Sequence, residues 1–164
     1  MSVLMLVRNL NLAKSTNYKL VIGAIPGVDL WLKTAMLPTI TTNEVPIANP
    51  VVGNIYRPTS TPVYAPLMVT FLVDEDLSNY NEVLKWMYES SGPDASKRTV
   101  NDADMMHDAS LHILSNNKNA TDMVYTFHNM FPTILGELQF NNESAEELLT
   151  DITLQFDYMT FTQK

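Results

Sequence analysis

Between Pro38 and Pro66 the chain carries Pro38, Pro46, Pro50, Pro58, Pro62 and Pro66. Each proline lacks a backbone N–H and fixes its own φ, so no helix fits among them and none of the segment can be a central strand of a sheet. The spacing predicts extended arms around a long loop over residues 38–66. Any core must therefore come from the sequence on either side.

That flanking sequence reads as strands. Tyr18 to Ile22 and Val28 to Lys33 are β-prone runs separated by Gly23-Ala24-Ile25-Pro26-Gly27, which predicts a hairpin. Leu67 to Val73 is a strong strand, ended by the acidic turn Asp74-Glu75-Asp76. A helix follows over Asn79 to Glu89. Asn79 and Glu82 have capping-box spacing, with Ser78 or Asn79 as the cap, and Tyr80, Val83, Leu84 and Met87 form an i, i+3, i+4, i+7 stripe for burial. Gly92 and Pro93 mark its end. Residues 93–107 are polar and aperiodic, and read as a loop. Ala109 to Leu114 and Met123 to Met130 read as strands, and Asp151 to Phe161 alternates nearly throughout. With no repeat and no linker, the chain reads as a single domain over 1–164, with an N-terminal arm at 1–16. Its class is mainly β: a barrel or sandwich with one flanking α-helix.

The 164 residues are 46% hydrophobic and 17% charged, which suits a packed core rather than disorder. There is no cysteine, so disulfides and thiolate chemistry are excluded. The apolar run Val3 to Val7 lacks a basic lead and is too short for a signal core or a membrane span, so a soluble, unprocessed protein is expected, without membrane insertion. A net charge of −8 opposes tight binding of nucleic acid, which requires a basic patch.

Chemistry has few candidates. Asp104, His107 and Asp108 lie close in sequence, but without a second ligand cluster they read as solvated loop. His112 and His128 sit in expected strands as ordinary hydrogen-bonded histidines. Glu143, Glu146 and Glu147 read as a solvated turn. No phosphate loop, nucleophile elbow or zinc helix motif occurs, so no catalytic residue, metal or cofactor is expected.

Two surfaces carry more information. In the closing strand, alternation puts Asp151, Thr153, Gln155 and Asp157 on one face and Ile152, Leu154, Phe156 and Tyr158 on the other, so the first face meets bulk solvent or a water-filled lumen. Val51, Val52, Ile55 and Tyr56 crowd four apolar side chains into the proline-bounded loop. They are expected to meet another subunit or, alternatively, to cap their own barrel.

Phe131-Pro132-Thr133-Ile134-Leu135-Gly136-Glu137-Leu138-Gln139, a polar acidic turn, and the strand Asp151 to Tyr158 resemble, in that order, the tail tube proteins of large contractile-tailed phages. The marks of the likeness are Pro132, Gly136, Glu137, Leu138, Asp157 and Tyr158. It extends to Asn17-Tyr18, to Ala35 through Pro38, to Pro46 through Asn49 and to Asp74-Glu75, and departs in the 50–66 and 93–107 loops. The resemblance implies a structural virion protein made in the host cytoplasm. Its hexameric rings would join sheets between subunits into a continuous barrel and stack as a tube through which DNA passes without specific binding. Sheath, baseplate or initiator, and tail terminator would be its partners, and Asp151, Thr153, Gln155 and Asp157 would face the lumen. A tube initiator ring or the tube of a related injection system is the near alternative. An adaptor that forms no channel, and a hydrolase using His107, are the readings from other classes.

Overall fold

A computed structural model describes residues 15–25, 32–92, 105–114, 121–141, 143 and 146–163. Along the chain run β1 (Tyr18–Ile22), β2 (Leu32–Met36), β3 (Ile40–Asn49), β4 (Gly53–Tyr64), β5 (Leu67–Leu72), the helix α1 (Ser78–Ser91), β6 (His107–Leu114), β7 (Thr121–Leu135), β8 (Leu149–Gln155) and β9 (Tyr158–Gln163). The fold is mainly β, as the sequence predicts, with all strand pairs antiparallel.

The organising element is β7. Its first half lies between β6 and β9, and its second half pairs with β8, so one strand serves two layers. The strand order β1-β6-β7-β8-β5-β2, with β9 on β7, makes a folded-over sheet rather than a closed barrel. At the corner β7 carries an extra residue opposite β6, and Asn129 takes φ 55. Such a bulge bends a strand and leaves an N–H outside the ladder. Here Asp108 supplies the missing acceptor: its Oδ1 takes the Asn129 N–H at 3.1 Å.

Alternation on each layer sends one set of side chains into the space between them. Leu20 and Ile22, Ala109 and Leu111, and Phe127 come from one side, and Leu67, Val69, Phe71, Ile152 and Leu154 from the other, all buried. Phe156 closes the end, its ring edge-on to Phe127 at 5.0 Å. Each large side chain so buried contributes about 1.5–3 kcal/mol.

Three expectations differ from the structure or reach beyond its described residues. First, the hairpin expected over Tyr18 to Lys33 lies partly outside the described residues, at 26–31; within them β1 pairs with β6, and Leu32 and Lys33 belong to β2, which pairs with β5. Second, the buried face of α1 is Asn79, Val83 and Trp86, while Tyr80, Leu84 and Met87 are only half-buried. The indole Nε1–H donates to the Met105 carbonyl at 2.8 Å, which lets so large a polar-edged ring sit inside. Third, there is no capping box. The N-cap is Leu77 at φ 56, and the Asp74 carboxylate accepts from the Ser78 hydroxyl and from the Asn79 N–H. Asn79 turns inward instead and donates to the Leu72 carbonyl at 2.8 Å, joining helix to β5. The sequence ends the helix correctly at Gly92, where a Cβ would lie 2.5 Å from the Tyr88 carbonyl oxygen. Of the segment expected to be a loop, residues 93–104 lie outside the described residues and His107 begins β6. The N-terminal arm to residue 14 lies outside them as well.

Candidate functional site

The proline-rich segment forms a two-stranded ribbon, β3 with β4, instead of a long loop. Each strand of a ribbon has one free edge, so the missing N–H of Pro46, Pro58 or Pro62 need not break the ladder. A bulge near Thr42 and Glu44 absorbs the crowded prolines, and the Thr59 hydroxyl donates to the Asn43 carbonyl across it at 2.9 Å. The turn is set by Asn49, whose Oδ1 accepts from the N–H of Val51 at 2.9 Å and of Val52 at 3.3 Å, and by Gly53 at φ +82. At the base the Ala65 N–H donates to the Thr39 carbonyl and closes the ribbon, and the Tyr64 ring packs on Phe156 of the body at 5.6 Å.

Beyond its base the arm packs chiefly on itself. Val51 is 88% exposed, Val52 72% and Tyr56 57%, with Ile55 half-buried against the partner strand. Ile40, Val45, Ile47 and Val63 add exposed apolar surface along the same ribbon. The arm therefore does not fold back as a cap. A ribbon of two strands is marginal in water on its own, and so much apolar surface on it is what an interface needs.

The second surface is the outer face of the layer built from β8, β5 and β2. Ile152 and Leu154 point to the core, and Asp151, Thr153 and Gln155 point out, as alternation requires. Asp151 accepts a hydrogen bond from Thr70 at 2.6 Å. Paired residues on adjacent strands share a face, so register adds what one strand cannot show. Met36 pairs with Met68, Met68 with Thr153, and Thr153 with Ile134. Met36, Met68 and Ile134 are exposed, so an apolar row crosses the face beside the hydroxyl and carboxylate row of Thr34, Thr70 and Asp151.

At the corner the alternation breaks. Phe156 and then Met159, three residues on, pack on the core, and Tyr158 is 48% exposed, not buried as its place in the sequence suggests. Its ring stacks on His128 at 4.5 Å. Asp157 does not continue the row of Asp151: it accepts from the Asn129 side chain at 2.7 Å, and its N–H donates to the His128 carbonyl. His128 in turn contacts Asp108 Oδ2 through Nδ1 and Thr160 Oγ1 through Nε2, both at 3.0 Å. The sequence showed no sign of this clasp, because its members come from β6, β7 and β9.

The other marks have local roles. Pro132 is buried, and Leu138 is half-buried beside an exposed Glu137. Gly136 donates its N–H to the Asp151 carbonyl at 2.6 Å, and a Cβ there would lie 3.0 Å from Asp151 backbone atoms and from the Thr150 hydroxyl. Of the titratable candidates, His107 packs on Trp86 at 5.6 Å and His112 meets the Ser110 hydroxyl at 3.1 Å, while Asp104 lies outside the described residues. Glu143, Glu146 and Glu147 are exposed. Among the described residues no group of three His, Cys, Asp or Glu side chains could hold a metal, and no helix is long and apolar enough to cross a membrane.

The chain matches the phage tail tube protein family over residues 8–164. The tail tube terminator protein of Enterobacteria phage T4 is 26% identical over 155 residues, which cover 90% of this chain and 88% of that protein. Among solved structures, the terminating cap of the anti-feeding prophage tube has the same fold, with a TM-score of 0.72, 13% identity, and coverage of 99% of this chain and 100% of that one. So does a chain of the PVC sheath/tube terminator in its extended state, from an extracellular contractile injection system, with a TM-score of 0.71, 14% identity and coverage of 93% and 97%. A chain of the PVC sheath-tube complex gives 0.68 at 14% identity, with coverage of 93% and 92%.

Proposed function

We propose that this chain, which belongs to the phage tail tube protein family, forms a ring that ends the tube of a contractile tail. The chain is a structural, tail-tube-related protein, and its family and neighbours are tube and terminator proteins, not enzymes. It is thus a component of a phage tail and of the virion.

The observation that carries ring assembly is the β3–β4 arm, which projects Val51, Val52 and Tyr56 into the open, with Ile55 half-buried against the arm's other strand. Prolines restrict it before docking, so less ordering entropy opposes its burial. The terminal position is supported by the likeness, over nine-tenths of the chain, to a tube terminator, and by the shared fold of two terminating structures. Sheath and tube end are then the partners to expect. The wet face of Asp151, Thr153 and Gln155 is the natural lumen wall, because carboxylates repel phosphates whereas lysines would hold them. The second reading, a subunit repeated along the whole tube, is favoured by the family match and by the likeness to a sheath-tube chain.

Electron microscopy of the purified chain and of intact tails separates these. A terminal subunit forms rings that do not grow into tubes, and occupies one end of the tail. Long tubes from the purified chain, or density at every layer, would establish the repeated subunit instead. A monomer at every concentration, with no ring in the tail, would refute both.

A further inference from the structure

We infer that the groove between β1 and β2 receives Phe140 with Glu146 and Glu147 from a second copy of this chain, forming the head-to-tail contact of the ring; this rests on the ring assembly proposed above. Among the described residues each of the two strands has a strand partner on one side only, β6 for β1 and β5 for β2, and their other edges border the seam. Across the seam the Tyr18 hydroxyl donates to the Lys33 carbonyl at 2.7 Å. Between them lies a groove of about 570 Å³ with Tyr18, Leu20, Leu32 and Ala35 on its walls and Lys19 and Lys33 at its rim.

The charge of this groove is the unusual part. Among the described residues no carboxylate lines it, in a chain of net charge −8. The basic side chains among the described residues are Lys19, Lys33, Arg57 and Lys85, so half of them stand on this one seam. A groove with apolar walls and two exposed lysines fits an apolar side chain flanked by carboxylates. The chain presents such a surface itself. Phe140 is 69% exposed, and it shares a shallow concavity with the exposed Glu146 and Glu147.

Topology places the two surfaces on opposite flanks. The second half of β7 is the edge of the layer whose other edge is β2, and residues 136–148 lead from that far edge into β8. Two different, complementary patches at opposite edges make a heterologous contact, which closes into a ring when the rotation per step divides a full turn. An isologous dimer would instead need one patch to complement itself. Here the charges fix register and speed encounter, and the phenyl ring supplies the burial.

Reciprocal charge reversal tests the contact. All four charged side chains are exposed, so Lys19→Glu with Lys33→Glu, and separately Glu146→Lys with Glu147→Lys, should keep the wild-type melting temperature. Each variant alone should need a concentration higher by about tenfold or more to form rings, and an equimolar mixture should recover assembly. The chain has no cysteine, so Lys33→Cys in one copy and Glu147→Cys in another should give a disulfide-linked pair on mixing. Wild-type rings that persist unchanged in both reversed variants, with no cross-link, would overturn the groove and leave the ring reading intact. Absence of rings in the wild type would instead remove the ring reading. Were the occupant the chain's own first 14 residues, their deletion would expose Lys19 and Lys33 to acylation while charge reversal left assembly unchanged, which also overturns the proposal.

Discussion

Replacing Ile55 by Asp together with Tyr56 by Ser separates the stability of the subunit from that of its assembly. In the subunit these side chains face only the opposite strand of the arm, Ile55 across from Ile47 and Tyr56 across from Pro46. Each cross-strand pair is worth about 0.2–1 kcal/mol, and the loss falls on a ribbon attached to the body at its base. The core built from Phe71, Phe127 and Leu154 is untouched. The two pairs together are worth about 0.4–2 kcal/mol, so the melting temperature of the isolated subunit should move by about 1–8 °C. Assembly should respond differently. Burying a tyrosine or isoleucine side chain contributes about 1.5–3 kcal/mol, so losing both removes about 3–6 kcal/mol from each contact, or roughly two to four decades in affinity. Circular dichroism gives the first quantity, and sedimentation with negative-stain imaging gives the second. A variant that melts like the wild type and still assembles at wild-type concentration would refute the interface role of the arm. A drop in melting temperature comparable to a core deletion would show that the arm packs on its own body after all.

Trp86→Ala should cost about 3–5 kcal/mol, because it removes a buried ring and strands the Met105 carbonyl, whereas Leu84→Ala, at a half-buried position, should cost less than about 2 kcal/mol in the same denaturant titration. Gly136→Ala should cost about 1–3 kcal/mol, since its Cβ has to displace backbone of β8 that is not free to yield. The Ser78 hydroxyl, with backbone N–H groups, holds the Asp74 carboxyl below its ordinary range, so this contribution is complete above about pH 4 and is lost as pH falls through the lowered value. Ser78→Ala should accordingly lower the melting temperature at pH 7 and do so less at pH 2. Asp151→Lys with Gln155→Lys should leave assembly intact and slow DNA release from reconstituted tails, while Asp157→Lys should also lower stability because its carboxylate holds Asn129 at the corner.

Much of the fold was legible where one strand or one stop signal decides the matter. The run Leu67 to Val73 marked a strand that the fold contains as β5, alternation from Asp151 to Phe156 separates an inner from an outer face, and Gly92 ends the helix. What needed a second element was read less well. The helix stripe was placed about one residue out of phase, because Trp86 and Asn79 are buried by a hydrogen bond to Met105 and another to Leu72, which no periodicity encodes. Pairing between distant elements was equally out of reach: β1 joins β6 and β2 joins β5 across long stretches of chain. Among the site residues, Asp151, Thr153 and Gln155 lie on the outer face that alternation assigns them, while Ile55 and Tyr56 stand on a strand of the ribbon rather than in a loop. Asp157 and Tyr158 depart from the alternation, because the strand expected to run from Asp151 to Phe161 breaks at Phe156 and Asp157 into β8 and β9, which restarts it.

Net charge averages over a surface that is partitioned. The wet face of β8 and β5 carries Asp151 and hydroxyl groups crossed by a row of methionine and isoleucine, and none of the described basic residues belongs to those strands. Lys19 and Lys33 stand on the lateral seam, Arg57 on the arm and Lys85 on the helix. A wall for a moving polyanion needs this separation more than it needs acidity. Carboxylates keep phosphates off, thioethers and methyl groups offer them no donor, and a single misplaced lysine would create a salt-sensitive hold repeated in every subunit of a ring. Lysines kept at the flanks can act on neighbouring subunits without acting on the channel. The same division gives Lys19 and Lys33 a place in a chain of net charge −8: in the ring proposed here their counter-charges are the glutamates of the next copy.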